Sequence, residues 1–325
     1  MVRPELVTRE AIKGWRGSKI NTVVLMVDGT NTAKAKQAIA LVRDENLGLR
    51  YWIEVGRDPT VADQHPEWMS SLQGHPEWQK KFPEFPKPAA NQVPKAYPWT
   101  PILYKESFEA HLTLVKSLLE SLPPADYVFL NDLQGGPSAC GCGNDQCRWT
   151  TDYGDKTTAT KMGPDAAANF MHRLKGFTKD AGIIPAWTTE CEIEDKHERC
   201  AGVGCFDGIC WKSYTEQLMP MYKEGGIVAP LILPGEFHRL EANWGKDSGW
   251  TGHALKSFQM MPPLRGGKAI PADRLIPILQ GWDQSLPQIK AQIGQVTLAG
   301  SRAYVIAYSR VDQSWNPRMY TIPAK

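Results

Sequence analysis

Residues 22–28 read Thr22-Val-Val-Leu-Met-Val-Asp28, five apolar residues in an unbroken row closed by a carboxylate. Seven similar runs follow: Leu49–Ile53 before Glu54, Tyr127–Leu130 before Asn131 and Asp132, Ile183–Trp187 before Glu190, Gly208–Trp211, Ile227–Leu233 before Glu236, Leu275–Leu279 before Asp283, and Tyr304–Tyr308 before Asp312. Only the fifth run, Gly208–Trp211, lacks a closing acid. Short apolar runs bounded by turn residues read as strands. Between them lie segments of helical spacing, Thr32–Asn46, Tyr104–Leu122, Pro164–Ala181, Ser213–Lys223, Thr251–Met260 and Ser285–Gly294. Strand alternating with helix implies a parallel sheet, and eight such strands imply an α/β fold of the (β/α)₈ TIM-barrel kind. In that architecture the chemistry lies at the C-terminal ends of the strands, so acids at strand ends are candidates for work as well as turn formers.

The chain of 325 residues is accounted for by one such barrel domain spanning residues 1–325, since barrels of about 250 residues commonly carry insertions. A helix is expected over Glu10–Lys19, and because nothing after Tyr308 looks helical it is expected to cover the gap an eighth helix would leave. Gly182 is expected to end the helix before it, glycine being common where φ turns positive. A long loop insertion spans about residues 57–103, and cysteine-bearing loops span about 132–160 and 189–212. The insertion interleaves proline with aromatics and charges, which marks an ordered excursion over the barrel mouth and not a tether. It carries an echo, His65-Pro-Glu-Trp68 and His75-Pro-Glu-Trp78, read as two similar turns because a repeat array needs at least about three units.

A formal net charge of +2 leaves no electrostatic footprint for nucleic acid. No stretch approaches the ~20 apolar residues of a membrane span. The expected partner is a small neutral ligand such as a carbohydrate, with self-association left open. Of twelve tryptophans, Trp68, Trp78, Trp99, Trp149, Trp244, Trp250, Trp282 and Trp315 fall in loops or loop-flanking positions, where aromatic faces suit a sugar ring or pack a long loop.

Seven cysteines fall in two clusters, Cys140, Cys142 and Cys147, then Cys191, Cys200, Cys205 and Cys210. Three uses compete. Disulfides would staple two long loops, as in exported proteins. Thiolates from both loops could hold zinc or an iron–sulfur centre as cofactor, although the spacing is neither a zinc knuckle nor a ferredoxin run. Free buried thiols are the third. Residues 1–20 lack the apolar core of a signal peptide, so either the protein stays inside or its leader has been removed, and the expectation leans to an extracytoplasmic location, periplasmic or secreted.

Several motifs together resemble the glycoside-hydrolase-like (β/α)₈ proteins over most of the chain. They are Trp15-Arg-Gly-Ser-Lys-Ile-Asn-Thr-Val-Val-Leu25 with Asp28, Tyr51-Trp-Ile-Glu-Val55 followed by His65-Pro-Glu-Trp68, Asn131-Asp132, Cys140-Gly-Cys-Gly-Asn-Asp-Gln-Cys-Arg148, and Leu279-Gln-Gly-Trp282. The resemblance implies a carbohydrate cleft with a general acid/base after strand four and a second carboxylate after strand seven. Counting the apolar runs maps these onto Glu190 and Asp283. The family places Asn immediately before its strand-four Glu and uses Glu on strand seven, whereas Thr189 precedes Glu190 and the strand-seven residue is Asp283. Asp132 and Glu236 are therefore alternatives for either role. Substrate-binding candidates are Asp28, Glu54, Arg57, His65, Asn131, Trp187, Gln280, Trp282, Tyr308 and Asp312. Hydrolysis needs two carboxyl groups across the scissile bond, about 5–5.5 Å apart for retention and wider for inversion. A barrel that binds carbohydrate without cleaving it, or a thiolate-metal protein, are the competing readings.

Overall fold

The computed structural model describes residues 1–71, 92–96, 98, 100–102, 104–133, 162, 165–188, 205–206, 209–210, 218–233, 250–264, 266–310 and 319–323. Seven parallel strands form one sheet: β1 (Thr22–Met26), β2 (Gly48–Glu54), β3 (Tyr127–Asn131), β4 (Gly182–Thr188), β5 (Ala229–Ile232), β6 (Ile278–Gln280) and β7 (Val305–Ala307). Their spatial order is their sequence order, so the sheet curls into a nearly closed barrel.

The two edges of that sheet, β1 and β7, are joined by the first residues of the chain. Val2 NH donates to the Val24 carbonyl and Met26 NH to the Val2 carbonyl, each at 2.9 Å. On the other side the amino nitrogen of Met1 donates to the Ile306 carbonyl at 2.6 Å, and Tyr308 NH donates to the Met1 carbonyl at 2.9 Å. Met1 and Val2 thus occupy the position between the edge strands and satisfy backbone groups that an open sheet would leave unpaired.

The helices are α1 (Arg9–Gly17), α2 (Thr32–Asp44), α3 (Lys105–Ser121), α4 (Ala166–Leu174), α5 (Met219–Gly225), α6 (Trp250–Leu264) and α7 (Leu286–Leu298). Each strand is preceded by one of them, and α1 lies in the chain between the Met1–Val2 segment and β1. Local chemistry sets several boundaries. Thr8 caps α1 through its hydroxyl, which accepts from Ala11 NH at 3.1 Å. Ser285 and Gln288 form a capping box on α7, and Gly226 ends α5 at φ 71°.

Strand alternation divides the core. Val24, Met26, Trp52, Phe129, Ile184, Ala186, Leu231, Ile278 and Ala307 fill the barrel interior, while Val23, Leu25, Tyr51, Ile53, Val128, Leu130 and Ile183 face the helices. Both faces are buried, as a parallel sheet covered by helices requires.

Two expectations change. The run Gly208–Trp211 supplies no barrel strand: Ile209–Cys210 pairs antiparallel with Cys205–Phe206 in a separate two-stranded hairpin. Gly182 opens β4 and does not end a helix; the positive φ values lie earlier, at Lys179 (51°) and Asp180 (71°). Its lack of a side chain makes room for the Tyr127 ring, which a Cβ would meet at 2.5 Å. The loop after β2 contains the helix Pro59–Gln64 and strands Ser70–Ser71 and Gln92–Ala96, the latter pairing with the C-terminal strand Met319–Pro323.

Candidate active site at the barrel mouth

The period of two along β2 turns Arg50, Trp52 and Glu54 inward, and the register sets them beside Tyr127, Phe129 and Asn131 of β3. Each pair makes a lateral contact. At the N-terminal end of the barrel the Arg50 guanidinium stands 5.0 Å from the Tyr127 ring centre. In the middle, Trp52 and Phe129 stack with centres 6.0 Å apart. At the C-terminal end Asn131 Nδ2 donates to Glu54 Oε2 at 2.8 Å.

Glu54 is held at both oxygens, since Trp52 Nε1 donates to Oε1 at 2.7 Å. Burial pushes its carboxyl up to about 7 from its ordinary 4.5. The neighbouring Asp132 acts in the same sense, whereas Arg57 and the two N–H donors favour the ionised form. Glu54 nonetheless keeps partial exposure at the strand end.

Asp132 follows Asn131 with φ 55°, a conformation Asp tolerates better than most residues. Arg57 lies 3.1 Å from its Oδ2, and the two side chains are only 10% and 9% exposed. Backbone pairing fixes these loops. Val55 NH donates to the Asn131 carbonyl at 3.0 Å, and Thr100 NH to the Gly56 carbonyl at 2.8 Å. Thr100 is held in turn by buried His111 on α3, whose Nε2 lies 2.7 Å from the Thr100 hydroxyl and 2.8 Å from its carbonyl. Burial pushes His111 down to about 4, so this imidazole is a neutral prop.

Across the mouth, Gln280 ends β6, with Nε2 donating to the Trp282 carbonyl at 3.1 Å, and Gln292 of α7 donating to the Gln280 carbonyl at 3.0 Å. Trp282 joins the barrel interior. Asp283 has φ 52°, is 68% exposed, and pairs with Arg310. Tyr308 is exposed.

Other candidates are engaged locally. Asp28 closes the turn after β1, accepting from Thr30 NH at 2.7 Å and Asn31 NH at 3.0 Å. His65 stacks on Trp68 with centres 3.7 Å apart and lies 3.1 Å from Glu67. Trp187 is buried on the helix-facing side of β4, away from the lumen. Glu190, Glu236, Asp312, Cys140, Cys142, Cys147, Cys191 and Cys200 lie outside the described residues, as do His75, Trp78, Trp99, Trp149, Trp244 and Trp315. Cys205 and Cys210 are register partners in the small hairpin. Among the described residues no group of His, Cys, Asp and Glu could hold a metal ion, and no helix is long and apolar enough to cross a membrane. Sequence reading missed Trp52 and His111 as supports. The alternation Arg50-x-Trp52-x-Glu54 signals the first, and nothing local signals the second.

No family model and no curated protein matches the sequence. Solved structures match in fold. A β-galactosidase from the psychrophilic Marinomonas ef1 superposes with a TM-score of 0.51 at 10% identity, covering 94% of this chain and 53% of the galactosidase. The chain therefore spans about half the length of that protein, and at this identity the likeness is one of fold. The Legionella pneumophila ChiA C-terminal domain gives a TM-score of 0.40 at 11% identity, covering 86% of this chain and 74% of the domain. α-L-Fucosidase isoenzyme 2 from Paenibacillus thiaminolyticus gives 0.39 at 10% identity, covering 91% and 46%.

Proposed function

We propose that this chain hydrolyses a glycosidic bond in a carbohydrate, with reacting carboxylates at the C-terminal mouth of the barrel. The observation that carries this reading is the carboxyl of Glu54, pushed up to about 7 and set beside Asn131, Asp132 and Arg57 at two adjacent strand ends. A glycosidase needs one carboxyl that keeps its proton near neutral pH, and the enclosure of Glu54 supplies one.

The position of Met1 and Val2 changes which residues the family pattern selects. Counted as the first stave, they make β3 the fourth and leave β6 as the seventh. The pattern of Asn followed by an acid on strand four then falls on Asn131-Asp132 instead of Glu190, and Asp283 keeps the strand-seven position. Glu190 and Glu236 remain in the pool of partners. One observation favours binding without hydrolysis: Asp283 is turned to solvent and paired with Arg310.

The test is a glycan-library assay on the wild type beside Asp132→Asn, Asp283→Asn and Glu190→Gln. Hydrolysis of at least one glycoside is expected, with Asp132→Asn lowering kcat by about 10²-fold or more, the order seen when a group that stabilises transition-state charge is lost. A wild type that cleaves nothing, or activity that survives all three changes, overturns the reading.

A further inference from the structure

Deepening that reading, and resting on it, we propose that the proton delivered to the departing sugar oxygen is carried by Glu54 on β2, not by the strand-four acid Asp132. Three features of geometry support the assignment. Asp132 is the member of the cluster ion-paired to a guanidinium, Arg57, at 3.1 Å with both side chains almost fully enclosed. Glu54 sits at the C-terminal end of the inward row Arg50, Trp52, Glu54 and keeps partial exposure. Its two oxygens are fixed by Trp52 Nε1 and Asn131 Nδ2, so its orientation is set before any ligand arrives. Each oxygen still has a lone pair for the proton, because a carboxyl offers about four acceptor sites and the two N–H donors occupy two of them.

The step balances with one water. As the anomeric C–O bond breaks, the proton on Glu54 moves to the leaving oxygen and the bonding electrons stay with that oxygen. Glu54 becomes a carboxylate, and the Asn131 and Trp52 N–H groups and the nearby Arg57 charge stabilise it. The oxygen of water forms the new bond to the anomeric carbon, and its released proton restores Glu54. Among the described residues, the charged groups acting on Glu54 are Arg57 and Asp132. Asp132 opposes ionisation and Arg57 favours it, so the pair tunes the carboxyl from one side.

The first arm of the test needs no substrate. Protein labelled with [¹³C]glutamate is followed by infrared spectroscopy from pH 4 to pH 9. A protonated Glu carboxyl band that disappears with a midpoint near neutrality, and is missing in Glu54→Gln, is expected. Absence of that band in the wild type overturns the proposal, as does its persistence in Glu54→Gln. Stability provides a second readout. A raised acid pKa stabilises the fold below about 4.5 and loses that contribution as pH rises toward about 7. His111 acts oppositely, costing stability as pH falls from 6.5 toward about 4. The difference between wild type and Glu54→Gln removes the His111 part and should show the Glu54 slope alone.

The second arm uses two glycosides of one sugar. One has a poor alcohol leaving group, and the other is a dinitrophenyl glycoside, whose leaving group needs no proton. Glu54→Gln should lower kcat/KM by about 10²-fold or more on the first and far less on the second. Equal losses on both overturn proton donation by Glu54 while leaving hydrolysis intact. A wild type that shows the titrating band but cleaves no glycoside removes the proposed function instead, and leaves Glu54 as the proton-holding group of the mouth.

Discussion

Two Asp–Arg pairs stand at the barrel mouth, built alike and placed differently. Asp132 follows β3 and meets Arg57 from the loop after β2, while Asp283 follows β6 and meets Arg310 from the end of β7. Each aspartate adopts a left-handed backbone, at φ 55° and 52°, and each lies just beyond a strand that ends on a carboxamide residue, Asn131 or Gln280. The first pair is about one-tenth exposed and the second is 51–68% exposed. Enclosure decides what the charges do. In the buried pair the field of Asp132 reaches Glu54 and helps hold its proton, whereas water and salt screen the exposed pair, as they do most surface ion pairs. The same residue types, one residue beyond β3 in the first case and three beyond β6 in the second, therefore give one electrostatic site and one surface contact.

The sharpest way to break this comparison is Arg57→Met, which leaves Asp132 enclosed without its cation. Loss of one partner of a buried pair costs about 3–5 kcal/mol, and denaturant unfolding should show it. Adding Asp132→Asn should recover much of that loss, since the uncompensated charge is then gone and Asn tolerates the left-handed backbone. If Arg57→Met unfolds as readily as Arg310→Met, burial is not what separates the two pairs.

A smaller effect is expected from Gly56→Ala. A Cβ there would stand 2.6 Å from the Asp132 carbonyl oxygen, and a backbone atom held by its own chain yields only at a cost. Overpacking of this kind costs about 1–3 kcal/mol. Gly294→Ala on α7 is the control, because nothing lies within 4 Å of that position and a helical alanine gains up to about 1 kcal/mol over glycine. The two changes should shift the unfolding midpoint in opposite directions. A neutral Gly56→Ala would mean that Asp132 is not fixed by the turn beside it.

The strands were legible because a barrel strand covered on both faces is a short continuous apolar row, and seven of the eight rows contain or overlap a strand of the sheet. The link between the two sheet edges was not legible, since Met1 and Val2 are two residues and no periodicity shows in so short a segment. Gly208–Trp211 was misleading for the converse reason: its apolar content matches a strand, but Cys205–Phe206 is close enough in sequence to claim it as a hairpin. At the site, Glu54 and Asn131 were legible as polar residues at strand ends, but the register that sets them side by side was not. The ranking of the acids was not readable. Asp28, Asp132 and Asp283 all follow apolar rows, and only the fold reveals that the first closes a turn, the second is enclosed with Arg57 and the third faces water. Burial of a strand-end acid depends on loops that come from elsewhere in the chain, here the segment around Gly56 and Thr100 propped by His111.

The smallest expected effect tests the other side of the comparison. Arg310→Met removes the cation from Asp283 while leaving that carboxylate in contact with water, so solvent replaces most of what the guanidinium supplied. The loss should be about 0–1 kcal/mol. It should also shrink as salt rises, because at 0.1 M the screening length is already about 10 Å. The Arg57→Met loss should respond weakly to the same salt series, its charges being shielded from the ions by protein. Unfolding measured from low to high salt for both variants therefore separates the pairs by slope as well as by size. A loss at Arg310→Met above about 1 kcal/mol that persisted in high salt would mean that Asp283 works in an enclosed setting. It would then regain the standing of a reacting carboxylate after β6, and the contrast between the two strand ends would disappear.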